Sequence, residues 1–379
     1  MFKRNLKEPI ERRLGKGKAI IVIGARQVGK TTLTKELIQR YDRNSVLILN
    51  GDTLEAQRLS KKDFPSLMEQ FGQYDCVLID EAHKINRIGD IAKSIIDEFG
   101  KDIQLIMTGS STVNLIDKTS EPLTGRKRVF QLYPISLDEY LGGREDLEEE
   151  EFDLMLRYGM YPEVLNGEDE LDKQDAIMEL AESTLYRDIL DVTGARASGD
   201  LVALLRYLAQ NSAVRVNIND ASKSLHIDRR HIEKYIDLLI KSFIIFPIFP
   251  ITKGGNTRTV RKAYKIYFWD VGVRNALLGD FSPAHERPDA EQLWQNFVIA
   301  ERMKRQNNNE EIVHHHYWRQ YDGTEIPLVE IRNQKMNGYR LSRKEAPIQL
   351  PQTFEDMEPE IHEIVTHRHL VDFILNKWV

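Results

Sequence analysis

The eight residues Gly24 to Thr31, GARQVGKT, constrain this chain more than any other part of it. Two glycines frame the run, a lysine and a hydroxyl close it, and the spacing is G-x-x-x-x-G-K-[ST] throughout. The apolar run AIIVI (19–23) precedes it, and the helix-like LTKELIQRY follows it. A strand, a glycine turn and a helix in that order leave a loop whose backbone N–H groups point inward, at the positive end of a helix. Such a concavity suits the phosphates of a nucleotide. Gly24, Ala25, Arg26, Gln27, Val28 and Gly29 are expected to wrap them, and Lys30 to reach the β- and γ-phosphates of ATP. Thr31 is expected to place its hydroxyl on Mg2+, with Thr32 beside it in the nucleotide site. By chance this pattern arises in roughly one chain per hundred of this length.

A second motif agrees with the first. The apolar run CVLIDE ends in Asp80 and Glu81, about fifty residues after the loop. In that setting Asp80 is expected in the magnesium shell and Glu81 as the general base for an attacking water. The next apolar run ends in TGSS (108–111), where Ser110 or Ser111 is a candidate for touching the γ-phosphate or the water, an ordinary turn being the alternative. LTGRKR (123–128) offers Arg126, with Arg128 as the alternative, as an arginine finger reaching a neighbouring subunit's site, or else a plain surface cluster. The letters DEAH (80–83) spell a helicase box, but no second motor domain follows, so they read as a strand end and the start of a helix.

Five near-continuous apolar runs lie at 19–23, 45–50, 75–81, 102–111 and 128–136, with helix-like stretches between most of them. Continuous rather than alternating apolarity indicates parallel strands buried on both faces. The fold class is therefore α/β: residues 1–135 form a three-layer P-loop domain with a parallel sheet. Beyond Pro134 the chain turns acidic and helical. Residues 136–198 are expected as a helical lid or linker region, with Glu148 to Glu151 a linker or an exposed helix start. In 199–284, the stretch NDASKSLHIDRRHIEKYIDLLIK reads as two helices, the second capped by Asp228, with an apolar strand or wing behind it. That is a helix-turn-helix pattern with a wing. Arg229, Arg230, His231 and Lys234 would then face DNA phosphate, or else simply be solvated charges on an intramolecular helix pair. From 285 an amphipathic helix leads into strand-like pieces. His314, His315 and His316 alternate faces if they lie on a strand, so they cannot converge on one metal ion.

A net charge of −6 argues against a strongly cationic nucleic-acid protein while leaving room for a local basic patch. The only cysteine is Cys76, so no intramolecular disulfide can form, as suits a reducing compartment. The longest apolar run, SFIIFPIFPI (242–251), holds two prolines and falls well short of the ~20 residues that cross a bilayer. The opening run is too short for a signal peptide. The expectation is a cytoplasmic protein with no membrane partner.

GARQVGKTTL, VLIDEAHKI, IMTGSS, LTGR and FQLYPISLDEY together resemble the AAA+-type ATPases of bacteria and archaea that are fused to a C-terminal domain of unknown function. YGMYPEVL (158–165), YRDIL (186–190) and KIYFWDVGVRNALLG (265–279) resemble signatures of that C-terminal region. The resemblance implies an AAA+-like sheet, a winged-helix middle and, at 285–379, a module similar to PD-(D/E)XK nucleases. It also implies ATP and Mg2+ as cofactors, an ATPase whose nucleotide state repositions the later modules, and a protein or DNA partner. Where such a nuclease would carry its acids and lysine, this chain has Gln295, Pro327, Arg340 and Ser342, so nuclease activity is not expected. A homo-oligomer is expected if Arg126 acts in trans. A nucleotide-gated scaffold and a DNA-binding regulator with little turnover are the alternatives.

Overall fold

The computed structural model describes residues 2–110, 112–193, 198–251, 264–343 and 351–377. Contacts divide the chain into two units: Lys3–Pro134 with Lys241–Phe243, and a second holding residues 135–240 and 244–379.

The first unit is built on five strands, β1 (Ala19–Ile23), β2 (Val46–Asn50), β3 (Cys76–Asp80), β4 (Gln104–Gly109) and β5 (Lys127–Gln131). All pairs are parallel, in the order β2-β3-β4-β1-β5. Every residue of β1 and β4 is buried, which is why these runs are apolar without alternation, while the edge strands β2 and β5 are partly exposed. The helix Ile88–Phe99 covers the sheet with Ile88, Ile91, Ala92, Ile95 and Ile96, the spacing of one helical face. Because β4 lies between β1 and β3, the carboxyl ends of three strands stand side by side. Open α/β sheets bind ligands at that edge.

The second unit carries β6 (Arg215–Val216), β7 (Ile245–Pro250), β8 (Tyr264–Phe268), β9 (His314–Arg319), β10 (Glu325–Arg332), β11 (Lys335–Leu341) and β12 (Ile361–Val365). They form one sheet ordered β12-β11-β10-β9-β7-β8-β6. The helices Ser198–Gln210, Ile218–Leu225 and Arg229–Lys241 accompany the antiparallel trio β6-β8-β7. Asp228 accepts from the N–H of Arg230 at 2.8 Å and so starts the last of these helices.

The sequence suggests parts at 136–198, 199–284 and 285–379, and strand pairing and hydrogen bonds join these parts to one another. β7 pairs with β9 through Phe249 opposite His316 and Pro250 opposite Tyr317, so one sheet runs across the boundary at 284. Asn296 on the helix Ala290–Asn308 bonds Ser212 Oγ and both the N–H and C=O of Phe268, at 2.6–2.9 Å. The region before 198 is stitched in as well: Asp270 accepts from the Met160 N–H at 2.7 Å, and Glu301 from the Leu137 N–H at 2.7 Å. A Cβ on Gly272 would stand 1.9 Å from the Tyr158 carbonyl oxygen, so only glycine permits that approach. Buried polar groups need partners, and these partners come from segments far apart in sequence, which local composition does not reveal.

Candidate functional site

The loop Gly24–Gly29 leaves the end of β1 and enters the helix Lys30–Ile38. A Cβ on Gly24 would lie 2.0 Å from the Leu132 carbonyl oxygen, and Gly29 holds φ 96°, a left-handed conformation that glycine adopts freely. Ala25 and Val28 are buried beneath the loop; Gln27, at φ 57°, and Thr32 are exposed. Lys30 is buried, and its Nζ donates to the carbonyls of Gly24 (3.0 Å) and Ala25 (2.7 Å). The ammonium therefore lies over the hollow of the loop, at the positive end of the helix. Arg4, which nothing in the opening residues singles out, donates to the carbonyls of Val28 and Tyr133, both at 2.7 Å, and ties the loop to the exit of β5.

Asp80 stands at the end of β3. Its Oδ2 accepts the Thr31 hydroxyl at 2.8 Å, and its Oδ1 accepts the Thr108 hydroxyl. A hydroxyl and a carboxylate at this separation are hard oxygen donors of the kind Mg2+ takes together with phosphate oxygens and water. Thr31 and Asp80 therefore fit that ion. Glu81 follows at φ 49°, ψ 40°, a left-handed turn costly for a side-chain-bearing residue and often kept at functional sites. Its N–H donates to Thr108 Oγ1 at 3.0 Å, and its Oε2 lies 3.3 Å from Nδ1 of His83. His83 is buried, and burial, with Lys84, Lys118, Arg26 and Lys30 nearby, pushes its imidazole down to about 4. The ring is neutral at pH 7.

Not every expected residue joins this cluster. Ser110 is buried at the end of β4, and Ser111 lies outside the described residues. The β4 hydroxyl that reaches Asp80 and Glu81 is that of Thr108, inside the strand. A lone hydroxyl in the otherwise apolar LIMT was the signal for it. Arg126 precedes β5 at the opposite end of the sheet, where its carbonyl accepts the Ala19 N–H at 2.9 Å and its guanidinium pairs with Asp97. The length of β5 separates it from Gln131, the residue opposite Ile23, a span of roughly 16 Å at ~3.3 Å per residue. Arg126 thus stands away from its own chain's phosphate loop. Arg128 is exposed on β5.

In the second unit Leu328 pairs with Tyr339, which makes Pro327 the strand neighbour of Arg340. The remaining acids are engaged. Glu325 pairs with Lys265, and Glu330, buried, takes a two-pronged bond from Arg302 (3.0 and 3.1 Å) and one from Gln306 (2.6 Å). Arg230, His231 and Lys234 are exposed on the helix Arg229–Lys241, while Arg229 bonds Glu233 at 3.0 Å.

A parallel sheet with β4 between β1 and β3, and a lysine-bearing glycine loop at the carboxyl end of β1, is the architecture of a P-loop, AAA-like domain. Residues 16–141 match the family model described as an AAA domain, and residues 149–284 match a domain of unknown function. An uncharacterised protein of Mycobacterium tuberculosis (strain ATCC 25618 / H37Rv) is 22% identical over 349 residues, 91% of this chain and 75% of the relative. One from Haemophilus influenzae is 25% identical over 285 residues, 68% of this chain and 69% of the relative. Among solved structures, AMPPCP-bound DnaA from Aquifex aeolicus is similar with a TM-score of 0.32 and 14% identity, over 62% of this chain and 86% of that one. PCH-2 of C. elegans is similar with a TM-score of 0.29 and 16% identity, over 62% and 70%. No helix among the described residues is long and apolar enough to cross a membrane.

Proposed function

We propose that the protein binds ATP with magnesium at the N-terminal loop and hydrolyses it, and that the nucleotide state repositions the C-terminal elements. The observation that carries this reading is the chain of contacts Thr31–Asp80–Thr108–Glu81 beside Lys30. Loop amides and Lys30 would hold the β- and γ-phosphates; Thr31 and Asp80 would hold the magnesium ion, which neutralises charge on the phosphates when bound. Glu81 would take the proton of the attacking water as its oxygen adds to the γ-phosphorus and the bond to the ADP oxygen breaks. Replacing Glu81 by Gln should keep ATP bound and lower phosphate release by roughly 10²-fold. Replacing Lys30 by Ala should weaken ATP binding by about 10- to 100-fold, the scale of a hydrogen bond to a charged group. Unchanged turnover in the first variant removes Glu81 from its role; wild-type affinity in the second removes the site.

A DNA-binding role is a second reading. It draws on the exposed Arg230, His231 and Lys234 of a helix followed by the β7–β8 pair, an order of elements that suits a winged helix. The module around β9–β12 would serve docking and not cleavage. With its single cysteine, Cys76, buried in β3, the protein suits the cytoplasm.

A further inference from the structure

The opening residues of the chain hold the phosphate loop from outside. Leu6 and Ile10 are buried, and Lys7, on the short helix Lys7–Glu11, pairs with Glu36 of the helix Lys30–Ile38 at 2.9 Å. The Lys7 N–H turns back to the Arg4 carbonyl at 3.1 Å. Arg4 is thus carried on a segment fastened to the helix that the loop enters. Its side chain is 6% exposed and reaches two carbonyls, Nη1 to Val28 and Nη2 to Tyr133, each at 2.7 Å. The Tyr133 side is framed by strand pairing, since the Leu132 N–H bonds the Ile23 carbonyl at 2.8 Å. The Val28 carbonyl belongs to a peptide whose other half is Gly29, at φ 96° and with no side chain to resist a turn of the plane.

That peptide is trans, so its C=O and N–H lie on opposite sides. While Nη1 holds the Val28 oxygen, the Gly29 N–H points the other way. Gly29 caps the helix Lys30–Ile38, whose own ladder offers that N–H no acceptor; it is one of the loop amides a phosphate would use. We propose that Arg4 is a positioning residue for nucleotide binding: it fixes the Val28–Gly29 peptide with its N–H towards the phosphates of ATP or ADP before the nucleotide arrives. The inference rests on the reading of Gly24–Thr31 as the phosphate site. Arginine suits the task because its rigid fork reaches two carbonyls at once, where lysine offers a single nitrogen. A Cβ on Gly29 would stand 3.7 Å from Nη1, so the guanidinium also brings positive charge close to the loop, the sign that phosphate favours. Without Arg4 the peptide plane is free to turn over, and binding must first order it.

The test uses the full-length protein with Mg·ADP, a non-hydrolysable ATP analogue and Mg·ATP. Arg4→Ala should raise the Kd of ADP and of the analogue by about 10- to 100-fold, the scale of hydrogen bonds to a charged group. At saturating Mg·ATP its kcat should stay within about threefold of wild type, because losing a contact common to ground and transition states moves KM alone. Millimolar guanidinium ion should recover much of the affinity of Arg4→Ala by taking the place of the missing side chain. A general loss of packing gives neither the split between KM and kcat nor that recovery. A wild-type Kd in Arg4→Ala overturns the proposal, as does a loss that falls equally on kcat or that guanidinium leaves untouched. If Lys30→Ala binds ADP with wild-type affinity, the reading of the phosphate site has failed instead. Should Arg4→Ala fail to fold, Arg4→Gln takes its place, its neutral amide being too short to span both carbonyls. A raised Kd with kcat retained then supports the proposal, and a wild-type Kd or an equal loss in kcat overturns it.

Discussion

Thr108, inside β4, donates its hydroxyl to the carboxylate of Asp80 at the end of the neighbouring β3. The same oxygen accepts the Glu81 N–H at 3.0 Å, so one fully buried hydroxyl fixes the candidate magnesium ligand and the backbone of the candidate base together. Thr108→Val keeps the shape and removes the oxygen. It should raise the Mg2+ concentration for half-maximal ATP turnover and lower kcat, while magnesium-free nucleotide binding stays near wild type. Leaving a buried N–H without its acceptor should also cost about 1–3 kcal/mol of stability, read from urea unfolding. Wild-type magnesium dependence would separate Thr108 from the site.

Arg126 pairs with Asp97 at the far end of its own sheet, so any catalytic use of it needs a second molecule. Activity per molecule should then rise with protein concentration. Mixing Arg126→Ala protein with Lys30→Ala protein should restore part of the turnover that each lacks alone, because an intact loop can meet an intact arginine. A monomer by sedimentation with a flat concentration dependence would leave Arg126 as a surface ion pair.

The acids left on β10 are committed to cations, Glu325 to Lys265 and Glu330 to Arg302. Purified protein incubated with Mg2+ or Mn2+ and single- or double-stranded DNA should leave the DNA intact. Cleavage that persists in Lys30→Ala and vanishes in Glu325→Ala would show that these carboxylates can still serve a metal. Removing Arg302 should instead destabilise the protein by about 3–5 kcal/mol, because Glu330 would remain buried without its counter-charge.

Burial pushes the imidazoles of His83 and His315 down to about 4. His315 lies under the helix Ala290–Asn308, with Nε2 2.6 Å from Gln306 Oε1. In the unfolded chain a histidine binds its proton near pH 6.5, so between pH 6.5 and 4 the unfolded state holds protons that the folded state refuses. Stability from these groups is full above pH 6.5 and is lost as pH falls through that window, with a slope of about 1.4 kcal/mol per pH unit for each histidine. His315→Gln should flatten the acid slope of unfolding free energy by one such increment. An unaltered slope would mean that His315 takes up its proton in the folded protein as readily as in the unfolded one.

Local sequence determined much of the N-terminal site. Gly24, Gly29, Lys30 and Thr31 follow from the geometry a phosphate loop demands, and the five strands from apolar runs that had to be covered on both faces. Asp80 and Glu81 were legible because they close such a run at a suitable distance from the loop. The cap at Asp228 was legible because capping is satisfied within a few residues. Apolarity alone did not fix strand order, since β1, β3 and β4 are alike in it and any of them could pair with another. Only long-range pairing set β4 between the other two and so brought Thr108 to Asp80, passing over Ser110. The same pairing put Arg126 at the wrong end of its own sheet and joined β7 to β9 across an expected boundary. The strand β12, with the mixed sequence IHEIV, carries no periodic signal of its own and exists as a strand because β11 offers it a parallel edge. Periodicity records which faces a segment hides. The partner that hides them is chosen by the whole chain, through burial and hydrogen bonds between residues that the sequence keeps far apart.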